Sequence, residues 1–163
     1  MEVIKINRHL RENVKAFFEA HWGSPQMVIS SGVYDCSNLD GFVVLDKYGE
    51  INGLITYIVS GHECEIISLD SVDEGKGIGT LLVQEVESLA ASEGCEVLKL
   101  VTTNDNLNAL KFWQKRGFTL SQVLCNAVEK ARKIKPSIPM VGYDGIPIRD
   151  ELLLEKKINK NTL

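Results

Sequence analysis

No apolar run in the chain approaches the ~18–20 residues that a membrane-spanning helix needs. The start, Met1-Glu2-Val3-Ile4-Lys5, lacks the apolar core of a secretory signal, so the expected location is the cytoplasm and no membrane partner is expected. Cysteine is sparse, and Cys36, Cys64, Cys95 and Cys125 form neither a CxxC pair nor a compact Cys/His cluster. That spacing argues against a zinc site, and no metal is expected. The four thiols read as free, behaving mainly as small buried hydrophobes in a reducing compartment. There is no excess of positive charge: 18 Lys+Arg stand against 22 Asp+Glu, a formal net charge of -4. Nucleic acid is therefore not an expected partner, because such affinity comes from neutralising phosphates. Repeats, low-complexity tracts and linkers are also lacking. What is there is ordinary for a globular protein, 44% hydrophobic and 25% charged residues over 163 positions. A chain of this length buries roughly 70% of its unfolded surface and needs no covalent staple. One domain, 1–163, is the expectation.

The pattern along the chain predicts an α/β (α+β) fold with a mixed sheet. Val3 to Ile6 reads as an edge strand and His9 to Trp22 as a helix, stopped by Gly23-Ser24-Pro25. Strands are expected over Met27–Ser30, Gly41–Leu45, Ile51–Val59 and Glu63–Leu69, the last three as an antiparallel meander. A second helix opens at the glycines after Glu74 and runs to about Glu93, with a stripe of Ile78, Leu81, Leu82, Val86, Leu89 and Ala90. Val97 to Val101 is a strand. Asn104-Asp105-Asn106 caps a helix to about Lys115, and Gly117 closes it. A strand over Phe118–Leu124, a basic helix over Ala127–Ile134 and a final strand over Ile146–Leu154 complete the order.

The segment that carries most chemistry runs from Leu69 through Gly75-Lys76-Gly77-Ile78-Gly79-Thr80, a strand, a loop and a glycine-rich helix start. Glycine lets the main chain turn tightly and approach a ligand. The N–H groups of a first helical turn lack internal partners, and the helix dipole adds positive potential. An anion, most naturally a phosphate or diphosphate, suits such a place. A tight strand-to-helix turn without a ligand is the alternative reading of the same residues. A Walker loop is excluded because no GxxxxGK[ST] string occurs. A dinucleotide loop is excluded by the glycine spacing and by the meander that precedes it.

Two motifs together resemble the GNAT family of N-acetyltransferases. Glu74-Gly75-Lys76-Gly77-Ile78-Gly79 is similar to that family's Arg/Gln-x-x-Gly-x-Gly/Ala turn. Asn106, Ala109, Phe112, Trp113, Gly117 and Phe118 follow its Asn-x-x-Ala-x-x-Phe-Tyr-x-x-x-Gly-Phe. One helix and one strand separate them, as the family requires, and the resemblance is strong over Glu63 to Phe118. It implies a mostly antiparallel sheet flanked by helices, with a splayed strand pair at the site of acetyl-coenzyme A, the co-substrate. By resemblance, main-chain amides from Gly75 through Lys76, Gly77, Ile78 and Gly79 to Thr80 cradle its diphosphate. Backbone of Ile67, Ser68 and Leu69 pairs with its pantetheine arm, and Asn106, otherwise a helix cap, makes a further contact. The sequence departs from the pattern twice. Glu74 replaces Arg or Gln beside the phosphates, which is tolerable if it points to solvent or pairs with Lys76. Trp113 stands where many members carry a tyrosine thought to protonate the departing thiolate. An indole N–H does not serve that role, which leaves Trp113 to shape the pocket.

The expected reaction is transfer of an acetyl group from acetyl-coenzyme A to a primary amine, by direct attack within a ternary complex. A base or water chain must first remove the ammonium proton. Glu65, on the strand leading to the glycine turn, is the general-base candidate. Simple alternation sets it on one face with Glu63, Ile67 and Leu69. His21 and His62 are lesser candidates. Asp150 and Glu151 are candidates for holding a cationic amine, or else a charged edge. Lys130, Arg132, Lys133 and Lys135 read as a solvated helix face or a patch for acidic groups. Tyr143-Asp144-Gly145-Ile146-Pro147 reads as a turn suited to an acceptor-side lid. A small-molecule acceptor is preferred to a protein, because nothing resembles a docking module. A coenzyme-binding sensor without efficient catalysis is the alternative function, and the sequence leaves a homodimer open.

Overall fold

The computed structural model describes residues 2–158. They fall into two compact units, one built from residues up to Met27, Tyr34–Leu98 and from Lys157 on, the other from Val28–Val33 and Lys99–Lys156. The class is α/β, with a mixed, mostly antiparallel sheet flanked by helices. Among the described residues no helix is long and apolar enough to cross a membrane.

The first unit holds an antiparallel run in the order β1 (Val3–Lys5), β4 (Asp40–Leu45), β5 (Ile51–Ser60) and β6 (Glu63–Ser71). The predicted opening helix is two pieces. Asn7 caps a 3-10 turn at Arg8–Leu10 by accepting from the N–H of His9 and Leu10, and α1 (Arg11–Trp22) follows. Gly23 ends it at φ 83°, a left-handed conformation that glycine adopts without strain. Val14, Phe17 and Phe18 form its buried face. Next in the chain comes β2 (Gln26–Ile29), paired with β3 (Gly32–Asp35), a short strand that the sequence pattern does not announce; the tip of this hairpin, Val28–Val33, counts with the second unit.

Opposite faces of the β5–β6 ribbon carry the two helices of this unit. A Cβ at Gly53 would lie 2.4 Å from Ile78 Cγ2 and 3.1 Å from Leu82 Cδ1, so α2 (Ile78–Ser92) sits directly on that face. Trp22 at the end of α1 donates from Nε1 to Asp70 Oδ1 at 3.1 Å, and Asp70 points to the other face. Ile78, Leu82, Val86 and Ala90 are buried as the pattern predicts, joined by Val83, while Leu81 and Leu89 stay partly exposed.

In the second unit the order is β7 (Val97–Thr103, whose first two residues count with the first unit), β9 (Glu151–Lys157) and β8 (Thr119–Leu124). α3 (Leu107–Lys115) and α4 (Ala127–Ile134) complete it. The last strand begins at Glu151, not at Ile146. Residues 136–150 form an irregular strap instead, folded by Arg132, which donates to the carbonyls of Ile138, Pro139 and Ile148 at 2.9–3.1 Å. Arg132 is thus committed to the backbone rather than to the open basic face expected of α4.

Gly53→Ala should cost about 1–3 kcal/mol, because the added methyl overlaps Ile78 and must lift α2 from the sheet. Chemical denaturation would read this as a lower midpoint at unchanged slope.

Candidate functional site

The loop from β6 to α2 is built by its own polar side chains. Asn52 interrupts the β4–β5 register, its carbonyl accepts from Val72 N at 2.9 Å, and its amide donates to Asp73 Oδ2 at 3.2 Å. Ser71 Oγ donates to the Asp73 carbonyl. Lys76 reaches Asp73 at 3.4 Å, an exposed pair, while Glu74 is exposed; the Glu74–Lys76 pairing left open by the sequence is not formed. Gly75 and Gly77 adopt φ 78° and 76°. A Cβ at either would meet no protein atom within 4 Å, so conformation rather than crowding calls for glycine, and the main chain there faces open space.

Gly77 is the residue before α2, and no side chain caps this helix; its first turn carries no acidic residue. The N–H groups of Ile78 and Gly79, the first two of α2, therefore receive no side-chain cap. An anion is the partner that such a terminus accommodates. The chain's own atoms fit a diphosphate here: left-handed glycines, an uncapped helix start and free space beside them.

On β6 the structure corrects the face assignment of Glu65. The β5–β6 register shifts between Thr56 and Tyr57, pairing Thr56 with Ser68 and Tyr57 with Ile66, so Ile67 is an extra residue in a β-bulge. Alternation reverses across it. Glu65 shares its face with Ser68 and Asp70, not with Ile67 and Leu69. That face is the one Trp22 reaches. Glu65 is buried, and Ser68 Oγ hydrogen-bonds Thr56 Oγ1 at 2.6 Å in the interior. A row of polar groups thus lies within an otherwise apolar layer. Asp70 closes the row: Oδ1 accepts from Trp22, and Oδ2 is buried without a hydrogen-bond partner. Burial raises the Asp70 pKa, against the opposing pull of the Trp22 hydrogen bond and His21. Sequence reasoning missed the Asp70–Trp22 pair; the polar Thr56 and Ser68 inside apolar strands were the readable signal. Cys64, beside this row in sequence, is no nucleophile, because burial first, with Cys95 and Glu65 adding, pushes its thiol up to about 12.

In the second unit Asn106 caps α3, its Oδ1 accepting from Ala109 N at 3.1 Å. Asn104 and Asp105 do not cap; both grip the strap. Trp113 is buried edge-on between Phe112 (centroids 5.0 Å) and Phe118 (5.1 Å). His21 and His62 are exposed. Asp150 holds Asn126 N at 2.8 Å and Arg149, whose hydrogen bond keeps its pKa low. Glu151, 2% exposed, accepts from Ser30 N. Both carboxylates are engaged within the chain, which removes the reading of them as amine-holding groups. Cys125 is exposed, unlike the other three cysteines. A cavity of about 520 Å³ between the β2–β3 tip and α4 is lined by residues such as Val33, Leu124, Ile134 and Lys130, the last a member of the basic set singled out in the sequence. Among the described residues no group of His, Cys, Asp and Glu is arranged to hold a metal ion.

An α/β fold with a glycine turn feeding an uncapped helix belongs to a class of anion-binding folds, and comparison with known proteins narrows it. The model of the acetyltransferase (GNAT) family matches residues 7–118, running through both units. The uncharacterized protein YdhI of Bacillus subtilis (strain 168) is 52% identical over 159 residues, covering 98% of this chain and 99% of its own length. Among solved structures, the IAA acetyltransferase from Bacillus cereus ATCC 14579 superposes with a TM-score of 0.72 at 19% identity, over 96% of this chain and 98% of that one. A GNAT family acetyltransferase from Elizabethkingia anophelis with acetyl-CoA bound gives 0.64 at 20% identity, over 74% and 77%. The chain belongs to the GNAT family and is an acetyltransferase.

The raised pKa of Asp70 has a thermodynamic consequence. The folded state retains a proton that the unfolded state, with an Asp pKa of about 3.9, releases first, so this group's contribution to stability falls as pH rises through that interval. Asp70→Asn removes the titration. The difference in Tm, variant minus wild type, should grow in favour of the variant as pH rises above about 4; a difference independent of pH would contradict the assignment.

Proposed function

We propose that the chain is one catalytic domain that transfers the acetyl group of acetyl-coenzyme A to the nitrogen of a primary amine, with a small molecule as the acceptor. The uncapped, glycine-led start of α2 carries this reading, because it offers main-chain donors and open space to a diphosphate. The amides from Gly75 to Thr80 hold the diphosphate, the backbone of Ile67, Ser68 and Leu69 lies along the pantetheine arm, and Asn106 adds a contact. The coenzyme supplies an activated thioester whose acyl carbon accepts the amine.

The chain's own residues then have three tasks. The first is to bring amine and thioester together, which removes translational freedom from the reaction. The second is to take the proton that the amine must lose. Glu65, buried on the face shared with Ser68 and Asp70, takes that role. The third is to supply a proton to the departing sulfur as the C–S bond breaks and the C–N bond forms. Trp113 has no ionisable proton and is packed between two phenylalanines, so it shapes the site while solvent returns the proton. The free thiols Cys36, Cys64 and Cys95, all buried, suit a reducing cytoplasm.

Incubation with acetyl-coenzyme A and a panel of amines, read as free thiol release, tests the activity. Turnover on at least one amine is expected. Saturable coenzyme binding with no release on any amine would favour a sensor instead. Gly77→Asp should abolish coenzyme binding by calorimetry, since it sets a negative charge at the diphosphate; retained affinity would displace the site. Glu65→Gln should lower turnover about 100-fold with coenzyme affinity unchanged; an unaltered rate across pH would remove Glu65 from the reaction.

A further inference from the structure

Residues 104–106 form the turn from β7 into α3, and their side chains divide the work in a way that capping does not explain. Asn104 binds the strap as a second backbone would. Its Nδ2 donates to the Pro147 carbonyl at 2.9 Å, and its Oδ1 accepts from the N–H groups of Arg149 and Asp150 at 3.0 Å. Asp105 is 3% exposed, and both its carboxylate oxygens and its carbonyl accept a hydrogen bond. Oδ1 accepts from Thr103 Oγ1 at 2.5 Å within the turn, Oδ2 accepts from Tyr143 N at 3.1 Å across to the strap, and its carbonyl accepts from Leu107 N at the head of α3. The strap meets it at a glycine. A Cβ at Gly142 would lie 2.0 Å from Asp105 Oδ2 and 2.7 Å from its Cγ, so only glycine admits the carboxylate. A buried carboxylate is costly unless it is hydrogen-bonded, and each oxygen of this one has a partner. Its position, one residue before Asn106, ties the strap to the start of α3.

We propose that Asp105 is a positioning residue for the coenzyme contact at Asn106: by clamping Gly142–Tyr143 of the strap, it fixes the turn from which Asn106 both caps α3 and reaches the coenzyme. This rests on the proposed role of Asn106 and adds to it a residue, and a segment of chain, on which coenzyme affinity depends. Asp105 acts through Asn106, so its effect vanishes once Asn106 is gone.

Calorimetry with acetyl-coenzyme A on the full chain tests it, with Tm measured in parallel. Asp105→Ala should weaken binding about tenfold. Asp105→Asn, which keeps an acceptor for Tyr143 N and a donor for Thr103, should restore affinity to within about threefold of wild type. Asn106→Ala should weaken binding at least as much, and the double variant Asp105→Ala/Asn106→Ala no further. Should Asp105→Ala fail to fold, Gly142→Ala disturbs the same clamp from the strap side and is read in the same way. A lowered Tm with unchanged affinity, losses that multiply in the double variant, or full affinity in Asn106→Ala would each overturn the proposal. Gly77→Asp separates this failure from that of the site itself: if it abolishes binding while the clamp variants bind normally, the diphosphate cradle stands and only the clamp falls.

Discussion

The account depends on a helix that begins without a cap. Most helices satisfy their first N–H groups with a Ser, Thr, Asp or Asn side chain, and lose about 1 kcal/mol when that side chain is removed. α2 has Gly77 at that place and no acidic residue in its first turn. The omission leaves donors and positive potential aimed into open space beside two left-handed glycines. The surroundings are consistent with holding these donors still. Asn52 and Ser71 fix the loop ahead of them through Asp73, and Gly53 lets the first turn of α2 settle against the sheet at Ile78. Such an arrangement suits an anion.

A single bulged residue governs the other half of the chemistry. Ile67 breaks the alternation of β6, so the polar residues Glu65, Ser68 and Asp70 share the face that Trp22 of α1 reaches at Asp70, while Ile66 and Leu69 share the face of Gly53, on which α2 sits. The layer under α1 thereby becomes partly polar in the interior, with a paired hydroxyl bridge and a carboxyl oxygen that has no partner. Buried polar groups of this kind are rarely kept without a role, because each costs desolvation. In the proposed reaction they lie on the face where a proton must leave the amine. In the second unit Trp113 follows the opposite logic: it is an apolar packing residue, buried between Phe112 and Phe118.

The element order was legible because strong periodicity and glycine punctuation mark it: α1, α2, α3 and the strands β4 to β8 lie within a few residues of where the pattern sets them. The glycine turn and the Asn106-to-Phe118 motif were legible for the same reason, since main-chain conformation demands glycine and capping demands Asn. What stayed hidden depends on contacts between distant segments. The bulge at Ile67 is set by pairing with β5, and it reversed the face expected for Glu65. The strap at 136–150 was mistaken for a strand entry because Ile146 and Ile148 look like strand residues, while its hydrogen bonds run to Arg132, Asn104 and Asp105. Asp150 and Glu151 looked like an exposed charged edge, yet their partners, Asn126, Arg149 and Ser30, bury them.

The most direct measurement is a crystal structure of the chain grown with coenzyme A. The account predicts the diphosphate within hydrogen-bond distance, about 2.7–3.2 Å, of main-chain nitrogens between Gly75 and Thr80. Density for the diphosphate elsewhere, with those nitrogens turned toward water alone, would contradict it.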